Sequence, residues 1–257
     1  MARHTPLVKS LSQFIKVVDT IQNDWSKEDA YISPWFRGHS SNRHRLLPGL
    51  YRNEKEVGNE NSYRSDFEQK AYPFLGDTAF GMPGSAWEWY FLMQHYGLPT
   101  RLLDWSEGSL IALHFALFYK AEGDESNPCV WMLNPFELSR LWQSQPFIYL
   151  FSDPSIKDYL PEVGNNTRPP ENPIAIQPVY KSKRIVVQKG VFTIHGNNKI
   201  ALEDIPELRQ WLVKIDIDYV QMDLIKAELY MTGVTQSSLF PELSGLAMEL
   251  KEYWKEE

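Results

Sequence analysis

The sequence predicts an α+β fold in a single domain, with a helix-rich N-terminal half and a mainly antiparallel sheet in the C-terminal half. Apolar residues recur at helical intervals up to about residue 121, and β-branched residues concentrate between residues 174 and 217. No linker or internal repeat divides the 257 residues, so one domain covering 1–257 is expected.

The first half contains four predicted helices and one predicted strand. The helices are expected at 10–25, 63–80, 86–96 and 110–121, with Pro73 interrupting the second and Gly97 ending the third. Ser106 and Ser109 are candidate caps for the fourth helix. The strand is predicted at 31–37.

The second half changes to the periodicity of strands. Strands are predicted at 129–133, 174–180, 184–187, 191–195 and 211–217, and helices at 135–142, 219–232 and 239–253. Segment 147–178 is rich in proline and asparagine and has little periodicity, so we expect it to form a long surface insertion.

Composition excludes several classes of protein. A formal net charge of −7 argues against general binding to nucleic acid or acidic lipid. The single cysteine, Cys129, leaves no internal disulfide and lies in a run typical of a buried strand. The sequence shows no run of about 20 apolar residues and no secretory leader, which predicts a cytoplasmic protein without membrane contact.

Familiar catalytic motifs do not occur in the sequence. It has no Gly-x-Gly-x-x-Gly, phosphate loop, His-Glu-x-x-His or Gly-x-Ser-x-Gly. The six histidines stand at no metal-binding interval, so no metal site is predicted.

A first cluster of unusual residues runs Pro34-Trp-Phe-Arg-Gly-His-Ser40 and continues as Leu46-Leu-Pro-Gly-Leu-Tyr-Arg52. Glycine at position 38 lets a ligand or another chain approach the backbone closely. The planar guanidinium of Arg37 suits a phosphate or a carboxylate. Alternatively, Arg37 stacks on a neighbouring aromatic ring or pairs with a structural carboxylate.

A second cluster runs Gln94-His-Tyr-Gly-Leu-Pro-Thr-Arg-Leu-Leu-Asp-Trp105, followed by Leu110-Ile-Ala-Leu-His-Phe-Ala-Leu-Phe118. With Phe36-Arg37-Gly38, these motifs resemble the FRG domain family. Gln188-Lys-Gly-Val-Phe192 and segment 233–247 match its later motifs, so the resemblance spans about 33–249. His39 and Ser106 depart conservatively from the glutamine and threonine that are common in the family.

The order of these parts is also similar to that of ADP-ribosyltransferases of the arginine–serine–glutamate type. In those enzymes the arginine holds the phosphate of NAD and the adjacent glycine contacts nicotinamide. The similarity implies a related fold and NAD as a substrate, with no permanently bound cofactor. It places Arg37 and Gly38 on one wall of the site, and Arg101 and Asp104 on the opposite wall.

The similarity fails at the catalytic acid, because Gly190 stands where those enzymes have a glutamate. Asp104 and Glu242 are the candidate replacements. Alternatively, Asp104 forms a buried ion pair with Arg37 or Arg101. Glu242 could equally favour the dipole at the start of a helix.

Five further residues are candidates for the same site. His95 and Tyr96 end a predicted helix and could line the pocket, although packing or capping explains them equally well. His195 is a candidate acid or base, or else a turn histidine. His39 and Gln188 belong to the matched motifs and complete the candidate ligand-binding set.

FRG domains occur in bacterial and phage genomes, and some are thought to serve in antiviral defence. The resemblance therefore implies a defence effector or toxin that binds NAD or a related nucleotide and transfers or hydrolyses ADP-ribose. One alternative is a non-catalytic sensor or adaptor that recognises a phage protein or a nucleotide. Another is a structural protein whose motifs only maintain the fold.

Overall fold

The computed structural model describes residues 3–27, 32–77, 81–142, 146–160 and 169–254. Within these residues one sheet contains eight strands: β1 Arg3–His4, β2 Trp35–His39, β3 Leu102–Ser106, β4 Cys129–Leu133, β5 Tyr149–Leu150, β6 Ile174–Gln177, β7 Gly190–Ile194 and β8 Leu212–Asp216. Their order is β1-β8-β4-β2-β3-β7-β6-β5. Only the edge pairs β1–β8 and β5–β6 are parallel, so the predicted α+β class with a mainly antiparallel sheet is confirmed.

The α-helices of the described residues are α1 Leu11–Ser26, α2 Glu54–Val57, α3 Glu60–Lys70, α4 Ala86–His95, α5 Ser109–Phe118, α6 Pro135–Arg140, α7 Lys183–Val187, α8 Met222–Met231, α9 Gln236–Leu239 and α10 Leu243–Tyr253. The helices expected at 10–25, 86–96 and 110–121 are confirmed. None of the helices in the described ranges has both the length and the apolar character needed to cross a membrane.

Serine caps begin helices α1 and α4. Ser10 accepts a hydrogen bond from the backbone N–H of Gln13 at 3.2 Å, and Ser85 accepts one from Glu88 at 3.3 Å. Helix α5 differs, because its cap residue is Gly108 and no side chain caps it. The Ser106 hydroxyl lies before the helix and donates to the Gln188 carbonyl at 2.7 Å, so it ties β3 to α7.

The two central strands, β2 and β3, come from the helix-rich half of the chain. Alternation along β2 places Phe36 and Gly38 on one face of the sheet, and Trp35, Arg37 and His39 on the other. Helices α1, α5 and α8 cover the first face through a buried apolar cluster that includes Phe36. A second cluster, which includes Trp35, fills the opposite face.

The structure corrects three local predictions. Residues 183–187 form helix α7 instead of a strand, because Ser182 caps the Ile185 N–H and begins a helical turn. Segment 147–178 is more than a surface insertion, since Ile156, Ile174 and Ile176 are fully buried in the core beside α4. The helix predicted at 239–253 begins only at Leu243, as α10, because Pro241 separates it from the short helix α9 that ends at Leu239.

Candidate functional site

A cleft of about 830 Å³ opens between strands β2 and β3 and is bounded by α4, α5, α7 and the loop 40–52. Five arginines line it: Arg37, Arg43, Arg45, Arg52 and Arg184. Among the described lining residues, Asp104 is the single carboxylate. The cleft is therefore strongly cationic, although the chain as a whole carries a net charge of −7.

The cleft exists because the sheet separates at its centre. Strands β2 and β4 are in register over five residue pairs, and so are β3 and β7. In the described structure β2 and β3 pair only at Phe36 and Ser106. Beyond that pair the strands diverge, and their backbone and side chains become accessible from the gap.

Arg37 lies in this gap and bridges the two strands. Its Nη1 donates to the backbone carbonyl of Asp104 at 2.5 Å and lies 3.5 Å from the Asp104 carboxylate. Its Nε donates to Nε2 of His39 at 3.0 Å. Burial lowers the pKa of Arg37, partly offset by the charge of Asp104, but a guanidinium stays charged at neutral pH. Nη2 has no hydrogen-bond partner in the described part of the chain.

Asp104 is held from the opposite side by a relay of hydrogen bonds. Nε2 of Gln94 donates to Oδ2 of Asp104 at 2.7 Å, and Oε1 of Gln94 accepts from the Thr100 hydroxyl at 2.5 Å. The Asp104 side chain is nevertheless 54% exposed. Asp104 therefore combines a fixed orientation with access to the cleft.

His39 is a neutral side chain at the floor of the cleft. Burial and the positive charge of Arg37 hold its pKa well below its usual value, with further contributions from His44 and Arg52. Because Nε2 accepts from Arg37, the ring proton is assigned to Nδ1. His39 thus orients the guanidinium without adding positive charge.

The loop 40–52 supplies the exposed cations of one rim. Arg45 is neutralised by Glu203, at 3.2 Å, and by Asp204. Arg52 uses Nε to hold the Leu47 carbonyl at 2.9 Å. Arg43 and Arg52 make no ion pair with any described residue, so both leave guanidinium donors available to a ligand.

The part of the cleft beside the C-terminal end of α5 is aromatic. The rings of Phe115 and Tyr119 stack at 5.7 Å with an interplanar angle of 22°, and both line the cleft. Phe240 packs behind them at 5.9 Å and 6.2 Å. Arg184 lies over the Phe240 ring at 4.6 Å. Burial and the charge of Arg184 lower the pKa of His95 at this end.

Six of the residues predicted from sequence lie together in the cleft: Arg37, Gly38, His39, His95, Asp104 and Gln188. Gln188 also donates from its side-chain amide to the Leu239 carbonyl at 3.0 Å, which ties the cleft to α9.

Gly38 is required for packing. A Cβ atom at this position would lie 1.9 Å from the Ala112 carbonyl oxygen and 2.6 Å from the Ala116 nitrogen. The close approach anticipated from the sequence is therefore that of helix α5 to β2. Gly190 differs, because a Cβ there would meet Ile185 at 3.6 Å, an ordinary contact.

Arg101 lies outside the cleft and is 1% exposed. Its Nε donates to Glu60 at 2.8 Å, its Nη1 to the His195 carbonyl at 3.0 Å and its Nη2 to the Tyr159 carbonyl. These bonds join α3, the strand ends and the 3₁₀ turn Pro154–Tyr159. These bonds use the guanidinium to maintain the fold, so Arg101 neither lies on a wall of the cleft with Asp104 nor forms an ion pair with it.

Three further predicted residues also lie outside the cleft lining. His195 is fully buried, and burial together with the charge of Arg101 lowers its pKa to about 3, which leaves it neutral across the physiological range. Tyr96 is 56% exposed at the end of α4. Glu242 is exposed at the start of α10 and makes no capping hydrogen bond there, although its charge raises the pKa of His95.

Several lining residues were not among the predicted site residues, including Arg43, His44, Arg52, Arg184, Phe115 and Tyr119. A signal exists for the first three, because Arg43-His-Arg45 and Arg52 concentrate cations just after the Phe-Arg-Gly motif of an acidic chain. Arg184 was assigned to a strand. Phe115 and Tyr119 have the spacing of core residues on an apolar helix.

The fold and the cleft together define an α+β protein with a cationic central cleft. Residues 33–125 match the family model of the FRG domain, so the chain carries an FRG domain. The match contains β2, the loop 40–52, α4, β3 and α5, which form most of the cleft. The chain matches no curated protein and no solved structure, and the similarity to ADP-ribosyltransferases remains a prediction.

Proposed function

We propose that the cleft binds a phosphate-bearing nucleotide, NAD or a related dinucleotide, and that the protein is an effector of bacterial or phage defence. The observation that carries the binding proposal is the set of five arginines around one carboxylate in a cleft of about 830 Å³. That volume falls within the usual range for small-molecule and cofactor sites, roughly 300–1,000 Å³.

The charge available to a ligand comes from three of these arginines. Arg43, Arg52 and Arg184 have no ion-pair partner among the described residues, whereas Arg45 is paired with acidic residues. A guanidinium presents donors in a planar fork that matches two phosphate oxygens. The unpaired arginines therefore favour a ligand with more than one negative charge.

A catalytic role is a second candidate, favoured by the fixed and exposed carboxylate of Asp104. In hydrolysis of NAD, the bond between ribose C1′ and the nicotinamide nitrogen breaks and its electron pair leaves with nicotinamide. Water forms the new bond to C1′ and releases its proton to solvent. A carboxylate beside C1′ would stabilise the cationic sugar in the transition state. Transfer uses an acceptor nucleophile in place of water.

As a sensor or adaptor, the protein would bind the nucleotide in the same cleft without catalysing a reaction. Gly190 favours this alternative, because the position that carries the acid in the resembling enzymes has no side chain here. Binding without release of nicotinamide would therefore assign the domain to recognition of a nucleotide.

Calorimetry with NAD and ADP-ribose, combined with an assay of nicotinamide release in the presence of host lysate, tests these proposals. We expect the double substitution Arg43→Ala and Arg52→Ala to weaken binding by roughly tenfold or more, because hydrogen bonds to charged groups contribute about 1.5–3 kcal/mol. Arg209→Ala, on an exposed arginine outside the cleft, is the matched control. Absence of binding to both ligands by the wild-type protein would contradict the proposal.

Asp104→Asn separates binding from catalysis, because it keeps the shape of the side chain and removes its charge. If Asp104 acts in hydrolysis, this variant binds NAD but releases no nicotinamide. The defence role is tested by phage challenge of a bacterial host that expresses the wild-type protein or the Arg43→Ala, Arg52→Ala variant. Equal protection by both proteins would show that the defence role does not depend on the arginines of the cleft.

A further inference from the structure

The two ends of the cleft have different chemistry. At one end, Arg37, His39 and His44 lie side by side. Arg37 donates a hydrogen bond of 3.0 Å to His39, and the rings of His39 and His44 are 5.8 Å apart. The charge of Arg52 acts on both Arg37 and His39, which places it at the same end. We call this the arginine end.

The other end is the aromatic wall, formed by Phe115 and Tyr119 and backed by Phe240. The wall is held in place by its contacts. The amide of Gln236 donates to the Tyr119 hydroxyl at 2.9 Å, and Arg184 covers the Phe240 ring. Of the three rings, Phe115 and Tyr119 line the cleft and Phe240 does not. The cleft-facing rings thus offer a fixed surface on which a planar group can stack.

Asp104 lies between these ends. On one side its carboxylate is 3.5 Å from Arg37. On the other side its charge acts on His95, whose pKa also depends on Arg184 beside the aromatic wall. A carboxylate accepts hydrogen bonds only, and the hydroxyls of a ribose are suitable donors.

On the basis of the proposed nucleotide binding, we propose that the ligand enters in one orientation, with its phosphates at the arginine end, its ribose beside Asp104 and its base stacked on Phe115 and Tyr119. The chemical class is a nucleoside diphosphate, free or as half of a dinucleotide. Inorganic phosphates use the arginine end alone and gain nothing from the aromatic wall.

The test compares two probes, inorganic pyrophosphate and ADP, by calorimetry. We expect Tyr119→Leu and Phe115→Leu to weaken binding of ADP by roughly tenfold or more, since stacking of a base on an aromatic side chain is lost. Binding of pyrophosphate to the same variants should stay within about twofold of wild type. Tyr230→Leu, on an exposed tyrosine of α8 outside the cleft, is the matched control.

The outcomes separate this inference from the proposal on which it rests. If the wild-type protein binds ADP but the aromatic variants bind it equally well, or lose ADP and pyrophosphate to the same extent, the orientation is overturned and nucleotide binding stands. If the wild-type protein binds neither probe, both fail. Because Phe115 and Tyr119 both pack against Phe240, thermal unfolding of both variants is measured in parallel. Tyr119 is 45% exposed, so Tyr119→Leu is expected to disturb the fold less than Phe115→Leu.

Discussion

Replacement of Gly38 by alanine tests the claim that this motif glycine supports packing. The added Cβ would lie 1.9 Å from the Ala112 carbonyl oxygen, where ordinary contact begins at 3.4 Å. Helix α5 would have to move by about 1.5 Å, and it is backbone that obstructs the methyl group, so no change of rotamer relieves the overlap. Overpacking of a rigid core costs typically about 1–3 kcal/mol and occasionally more. We expect Gly38→Ala to reach about 3 kcal/mol.

Urea unfolding measures this loss, and Gly190→Ala is the control. Both glycines lie in strands at the cleft, but the Cβ at position 190 meets Ile185 at 3.6 Å. Neither has a positive φ. Gly190→Ala should therefore stay within about 1 kcal/mol of wild type. A Gly38→Ala protein that keeps wild-type stability and loses only nucleotide binding would refute the packing argument and assign Gly38 to ligand approach.

Three more predictions follow from the same contacts. Arg101→Met should cost about 3–5 kcal/mol in urea unfolding, because it breaks the ion pair with Glu60 and leaves the carbonyls of His195 and Tyr159 without their donor. The protein that remains folded should bind ADP normally, and weaker binding would show that Arg101 contributes to the site. The pKa of His195 is lowered from 6.5 to about 3 in the folded protein, so between these pH values the unfolded chain binds the extra proton and the unfolding free energy falls as pH falls, by up to about 1.4 kcal/mol per pH unit. His195→Phe should flatten that slope, and an unchanged slope would contradict the assignment. Gly190→Glu should fold normally yet weaken binding of ADP in calorimetry, since it adds a negative charge to the cleft; unchanged binding would show that residue 190 does not face the ligand.

Local patterns predicted the elements whose stabilising contacts are close in sequence. The apolar spacing of α1 is visible in the chain itself. The serine caps predicted for α5 were wrong, because Gly108 stands at its cap position and no side chain caps it. The strand predicted at 184–187 was wrong for the opposite reason. Ile185 and Val186 favour a strand by propensity, but the Ser182 cap begins a helix. Propensity is a weak signal over five residues, and a cap decides the outcome.

The candidate site was predictable only in part, since its assembly depends on the gap between β2 and β3. Arg37 and Asp104 stand in motifs and were found by sequence. Arg101 stands in the same motif, three residues from Asp104, but the chain turns it into the core toward Glu60. In the sequence, an arginine within a motif looks the same whether it lines a cleft or maintains the fold. The structure separates the two by exposure, since the Arg101 side chain is 1% exposed and the Arg37 side chain is 17% exposed.

The Phe-Arg-Gly motif links the fold to the site through helix α5. Phe36 enters the core that holds α5 against the sheet, and Gly38 admits the helix backbone at Ala112 and Ala116. Phe115 lies between those two alanines, so the approach permitted by Gly38 also fixes the distance from the aromatic wall to Arg37. A larger residue at position 38 would therefore separate the two ends of the cleft as well as destabilise the fold. Each residue of the motif thus has a distinct physical role, and the glycine couples packing to the dimensions of the site.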